Sequence, residues 1–182
     1  MKEEFETKLI ELGISFQVKP DNFYILSTIN GVERKITVRL ICSKLVNPLK
    51  YGSNNGNEIE SIGLFKLQFN PWRNESDFIT FAFLNSIKHQ IEYIIVPTEL
   101  LKHRLINGTR IRSENHLFII VFWLMPDGFV YNCSDIGIEG EWYYLSKGVN
   151  GRMADDTELD YTSFLNKWEI LWKLKSSLPT IE

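Results

Sequence analysis

Asn30-Gly31 sits between two runs rich in β-formers, Phe23 to Ile29 and Val32 to Ser43, and no other local feature restricts this chain so tightly. A type I′ turn needs positive φ at both central residues, and Asn-Gly is the pair that adopts it with least strain. A two-residue turn sets the register of the hairpin. Ile29 then faces Val32, Thr28 faces Glu33, Tyr24 faces Thr37 and Asn22 faces Arg39. Because side chains alternate across a strand, the register also predicts two faces. Phe23, Ile25, Ile29, Val32, Ile36, Val38 and Leu40 form an apolar one, and Asn22, Tyr24, Thr28, Glu33, Lys35, Thr37 and Arg39 a polar one.

An isolated hairpin is marginal in water, so the rest of the chain must cover that apolar face. The composition is adequate for this, since 44% of the 182 residues are apolar and 13% aromatic, proportions that a disordered chain would not carry. A chain of this size buries roughly 70% of its unfolded surface, and it reads as one domain, residues 1–182. The net charge of −3 gives no global attraction to nucleic acid or anionic membrane. No apolar run approaches the roughly 20 residues that span a bilayer. Met1-Lys2-Glu3-Glu4 opens directly into an acidic amphipathic stretch, which predicts no secretory leader and a cytoplasmic location. Cys42 and Cys133 are then expected to be free, buried thiols. His89, His103 and His116 are isolated from one another and read as structural or surface residues.

The flanking segments predict an α/β domain, with α+β as the alternative, built on one mixed central sheet with helices against it. Phe5, Leu9 and Leu12 share a helical face that Gly13 would end. Phe16 to Lys19 alternates as a strand, residues 47–62 form a turn-rich loop, and strands follow at Gly63–Phe69, Asp77–Leu84 and Ile91–Val96. Thr98 would cap a helix reaching about Ile106. Leu117–Met125 and Phe129–Cys133 make a second hairpin around Pro126-Asp127-Gly128. Tyr161, Phe164, Leu165, Trp168, Leu171 and Trp172 follow the spacing of a closing helix, with Asp155, Asp156, Glu158 and Asp160 before its N-terminus.

One literal motif is present. Pro20-Asp21, eleven residues, then Glu33-Arg34-Lys35 satisfies the spacing of the PD-(D/E)XK nucleases. In that chemistry two carboxylates converge on Mg²⁺, which lowers the pKa of an attacking water. The hairpin register separates the two acids by about seven residues, roughly 23 Å at ~3.3 Å per residue. A shared metal at Asp21 and Glu33, with Lys35 beside it, therefore requires a bulge or longer loop.

The order helix, hairpin, variable loop, strand, Asp-led strand, strand ending in Pro, helix resembles restriction-endonuclease-like proteins of the PD-(D/E)XK superfamily. The residues that carry the likeness are Ile36 to Lys44, Gly63 to Leu67, Asp77 to Phe81 and Tyr93 to Leu101, with Leu165-Asn166-Lys167-Trp168 near the end. It spans about residues 3–106, leaving 107–182 as a C-terminal hairpin and helix. The resemblance implies a metal-dependent endonuclease core in which Thr37 stands at the second carboxylate, Arg39 at the lysine, and Asn22 or Asp21 at the first acid. Glu3, Glu4 or Glu6 would supply a helix-one glutamate, so Glu6 and Asp21 are the implied metal ligands. Thr37 is a poor Mg²⁺ ligand and Arg39 does not release a proton near neutral pH. The expectation is a catalytically degenerate domain needing no cofactor (Mg²⁺ if active), with Arg39, Lys35 and Lys44 left to bind the phosphates of DNA. A protein-interaction module, with a partner protein or a second copy and no membrane role, and an active nuclease using Asp21, Glu33 and Lys35 are the alternatives.

Other constellations have structural readings. Asp77 fits a strand-initiating residue, the acids of 155–160 fit helix capping, and Trp142, Tyr143 and Tyr144 fit a half-buried strand. No P-loop, dinucleotide fingerprint, nucleophile elbow or zinc spacing occurs. The charge is unevenly spread: Arg34, Lys35, Arg39 and Lys44 surround a single acid, Glu33.

Overall fold

The computed structural model describes residues 1–19, 22–29, 32–44, 59–68, 76–108, 117–132 and 160–172. Helix α1 (Lys2–Glu11) buries Phe5 and Leu9 and carries Glu3 and Glu4 in its first turn, where the helix dipole favours them. It stops where expected. Gly13 takes φ +67°, a conformation that side-chain-bearing residues adopt only with strain. Leu12, just past the last helical residue, is left 39% exposed rather than joining the buried face.

Strands β1 (Phe16–Val18), β2 (Phe23–Ile29) and β3 (Val32–Cys42) run antiparallel in succession. The β2–β3 register is the one the two-residue turn demands, unbroken from Ile29 opposite Val32 to Phe23 opposite Val38. Next come β4 (Ser61–Gln68), β5 (Phe78–Asn85), β6 (Gln90–Pro97), helix α2 (Thr98–Gly108), β7 (Leu117–Leu124) and β8 (Val130–Asn132). The principal sheet has the order β1-β2-β3-β5-β6; β3 and β5 are parallel and the other pairs antiparallel.

The fold is α+β with a mixed principal sheet, but the expectation of a single central sheet needs correcting. β4 does not join it. β4 pairs with β7, and β7 with β8, in a separate three-stranded sheet. The reason lies in the inner faces. Gly63, Phe65 and Leu67 of β4, with Phe118, Ile120, Phe122 and Leu124 of β7, form an apolar layer that closes over Ile79, Phe81 and Phe83 of β5. The rings of Phe65, Phe81 and Phe122 pack edge to face, with centroids 5.0 to 5.9 Å apart. A Cβ on Gly63 would lie 2.5 Å from Phe65 Cε2 and 3.2 Å from Phe83 Cγ, so the layer closes only over glycine. Ser43 joins the sheets: its N–H donates to the Ala82 carbonyl (2.8 Å), and its Oγ accepts the Leu64 N–H (2.9 Å).

A second core lies on the opposite face, between the principal sheet and α1. Phe5 packs on Phe23 (4.8 Å) and on Trp168 (5.3 Å), and Trp168 packs on Tyr93 (4.9 Å). Burial there pushes the Tyr93 hydroxyl well above the ordinary tyrosine range.

The expected closing helix is also corrected. Two 3₁₀ turns, Thr162–Phe164 and Trp168–Leu171, stand in its place, separated by Leu165, Asn166 and Lys167. Leu165 bridges Ile94 of β6, the Asn166 N–H donates to the Tyr93 carbonyl (2.7 Å), and Asn166 takes φ 52°. Tyr161 belongs to the core between the sheets, whereas Trp168 and Leu171 belong to the core under α1. One helix could not deliver its apolar residues to both faces of a sheet. An extended strap rounding the β6 edge does so, and it occupies backbone groups that an open edge would leave unpaired. Asp160 behaves as a cap, its Oδ1 accepting the Thr162 N–H (2.8 Å). Asp155, Asp156, Glu158 and Trp142–Tyr144 lie outside the described residues. No helix among the described residues is long and apolar enough to cross a membrane.

Candidate functional site

The hairpin supplies the candidate site because its two faces meet different surroundings. Phe23, Ile25, Ile36 and Val38 are buried under α1. The alternate residues Tyr24, Leu26, Lys35, Thr37 and Arg39 point the other way, toward the side carrying the second sheet. Among the described residues that sheet covers β5 and meets the far end of β3, where Ile41 packs against its core. Closer to the turn the face is open: Lys35 is exposed and Leu26 is 40% exposed.

Tyr24 organises the open part. The Lys35 Nζ lies 3.9 Å from the centre of its ring and the Lys19 Nζ 5.1 Å. Each such contact is worth about 0.5–1 kcal/mol at an exposed position. Gln17 of β1 and Thr37 of β3 stand directly beside Tyr24 across the sheet. The Arg39 guanidinium is fixed further along, donating from Nη1 to the Gln68 carbonyl at the end of β4 (3.0 Å).

Asp77 fastens the rear of the site. Its Oδ2 accepts the Thr37 N–H (2.6 Å), its own N–H donates to the Thr37 carbonyl (2.8 Å), and its carbonyl accepts the Thr98 N–H at the start of α2 (2.9 Å). It is a strand-initiating tie between β3, β5 and α2, as its position in the sequence suggests. The Asn22 backbone carbonyl accepts the Lys19 N–H (2.8 Å), while its side-chain Oδ1 is buried without a hydrogen-bond partner.

The predicted residues divide accordingly. Lys35, Thr37 and Arg39 come together on one face. Lys44, expected beside them, is exposed past the end of β3, where its N–H donates to the Leu64 carbonyl of the second sheet (3.1 Å). Glu6 lies on α1, which packs against the opposite face, so the sheet stands between it and Lys35. The unbroken register leaves Glu33 at the turn end of the hairpin and the segment entering Phe23 at the other. Asp21 itself lies outside the described residues. Among the described residues, no three His, Cys, Asp or Glu side chains converge in a way that could hold a metal ion. Cys42 is a free thiol, and is exposed rather than buried as expected; desolvation of the thiol still pushes its pKa up. Cys133 lies outside the described residues.

A second polar group has no counterpart among the sequence expectations. Glu60 and Glu92 are 4% and 3% exposed, and Asn85 is fully buried between them. The Asn85 Nδ2 donates to both carboxylates, at 3.1 Å to Glu92 Oε1 and at closer range to Glu60 Oε1. Lys88 pairs with Glu60 (2.6 Å), and this bond pushes the lysine pKa up. Gln90 and Asn166 complete Glu92, donating to Oε1 (2.6 Å) and Oε2 (2.5 Å). Asn85 Oδ1 meanwhile accepts the N–H groups of Ile87 and Lys88 in the β5–β6 turn. One signal for it exists: Glu92 is the only charged residue within the apolar run Ile91–Val96. A charge there must either face water or be paired.

Comparison with known protein families, with curated proteins and with solved structures finds no match to this chain.

Proposed function

We propose that this chain is a restriction-endonuclease-like domain that holds nucleic-acid phosphates on the open face of the β2–β3 hairpin and does not cleave them. The observation that carries the reading is the Lys19–Tyr24–Lys35 group, with two ammonium groups within 5.1 Å of one ring centre on an open face and Arg39 further along it. Lysines and arginine so placed suit the backbone of a nucleic acid, which supplies most of the affinity in non-specific binding. The noncatalytic part rests on residue chemistry. Thr37 and Arg39 occupy the positions where the resemblance expects a carboxylate and a lysine; a neutral hydroxyl is a poor Mg²⁺ ligand, and arginine does not release a proton near neutral pH.

The test is fluorescence anisotropy with labelled oligonucleotides across a salt series, alongside a cleavage assay with Mg²⁺ or Mn²⁺. The expected result is binding that weakens linearly in log–log form, with a slope of about 0.7 to 0.9 per phosphate contacted, and no cleavage. Absence of binding at low salt would overturn the phosphate reading. Metal-dependent cleavage abolished by Arg39→Ala would overturn the noncatalytic one.

A further inference from the structure

From the surroundings of Tyr24 we infer that the hairpin face takes single-stranded nucleic acid, with one unpaired base stacked on the Tyr24 ring and neighbouring phosphates held by Lys19 and Lys35. The inference rests on the phosphate-binding reading and adds the class of ligand to it. Phosphate binding alone would be served by lysines anywhere on an open face. Here both ammonium groups are gathered on an aromatic ring, at 3.9 and 5.1 Å from its centre. That arrangement brings a base-sized flat surface and the two cations to one place.

The remaining neighbours fit a base. Gln17 and Thr37 flank Tyr24 directly across the sheet, placing an amide and a hydroxyl beside the ring. Leu26, 40% exposed two residues along the same face, offers apolar contact for a sugar or a second base. Every base has a π-face, so stacking of this kind tolerates any sequence. A duplex keeps its bases stacked on one another inside the helix, out of reach of a ring lying on a sheet. Anion binding and stacking are also coupled. The Lys35 ammonium rests over the ring, and a phosphate that draws it away uncovers the surface the base then occupies.

The experiment uses the full chain and three fluorescein-labelled probes of equal length: oligothymidylate, the same backbone with abasic sites, and a duplex. Anisotropy at low salt is expected to rank oligothymidylate above the abasic strand by about tenfold, and above the duplex. Tyr24→Leu, which keeps a half-buried apolar side chain at the position, is expected to bring the oligothymidylate-to-abasic ratio to about one. Tyr24→Trp is expected to retain it. Thermal melting of each variant confirms that the sheet is intact. Equal affinity for the oligothymidylate and abasic strands, a preference for duplex, or a ratio that survives in Tyr24→Leu overturns base stacking and leaves phosphate binding standing. Failure of all three probes to bind at low salt overturns both.

Discussion

Two polar groups among the described residues differ in access to water. At the β5–β6 turn, Glu60 and Glu92 are buried with Asn85 between them; Lys88 shares Glu60 Oε1 with it, Gln90 shares Glu92 Oε1, and Asn166 donates to Glu92 Oε2. On the hairpin face, Lys19, just past β1, and Lys35 of β3 are exposed, each over the ring of Tyr24. A buried charge is tolerated only when its hydrogen bonds are made within the protein, so the carboxylates are committed to holding chain segments together. An exposed ammonium on an aromatic ring is held loosely and can be recruited by a ligand. The contrast separates a group that maintains the fold from one that can act on a partner.

The largest expected effect lies in the closed group. Glu92→Ala removes the acceptor for Asn85, Gln90 and Asn166 at once and is expected to cost about 3–5 kcal/mol in urea denaturation. A loss under about 1 kcal/mol would mean that the carboxylate is not part of the structural frame. Asn166→Ala should follow at about 2 kcal/mol, since it removes the bond to Glu92 and the acceptor for the Tyr93 N–H (3.0 Å) and places a Cβ at φ 52° without the side-chain bonds that hold it there. Asn166→Gly should fall between alanine and the native residue, because glycine relieves the backbone and not the lost bonds. Hydrogen exchange at the Tyr93 amide reads the same event locally, and the protection factor should drop in both variants.

In the open group the order of effects is reversed. Lys35→Ala should leave the unfolding free energy within about 1 kcal/mol of the native value, the worth of its contact with the Tyr24 ring, while lowering the salt slope of oligonucleotide binding by about 0.7 to 0.9. A large loss of stability with an unchanged slope would erase the distinction between the two groups. The smallest effect concerns Cys42. Desolvation raises its pKa in the folded state, so alkylation by iodoacetamide should reach half its maximal rate at a higher pH than a free thiol does. The linked stability is fully present below the ordinary thiol range and declines as pH rises through the folded pKa. An alkylation profile matching that of the unfolded chain would show that the thiol is not desolvated.

Much of the hairpin is legible in the sequence because its determinants are local. The Asn30-Gly31 signal sets the register, and alternation then assigns Ile36 and Val38 to one face and Lys35, Thr37 and Arg39 to the other. The literal nuclease motif can be judged for the same reason, since Glu33 and the segment entering Phe23 are bound to opposite ends of the ladder. The closing segment is not legible, because spacing of three and four residues describes a helix and equally a strap that turns twice. Only the bridge from Leu165 to Ile94 and the conformation of Asn166 separate the two. The carboxylate pair escapes a sequence reading because Glu60, just before β4, is distant in the chain from the β5–β6 hairpin that carries Asn85 and Glu92, and the two stretches meet only where the sheets pack.

What the sequence determined by itself was therefore short in range: where α1 ends at Gly13, which strands form, how β2 meets β3, and which chemistry the hairpin presents. What only the tertiary structure decided was long in range. It placed β4 with β7 instead of in the principal sheet, carried the 160–172 segment around the β6 edge, and closed Glu60 and Glu92 away from water while leaving Lys35 exposed. The physical reason is that turn geometry and alternation act between neighbours along the chain. The pairing partner of a strand and the solvent access of a charge depend on which apolar faces cover one another, and that is settled by the packing of the whole domain.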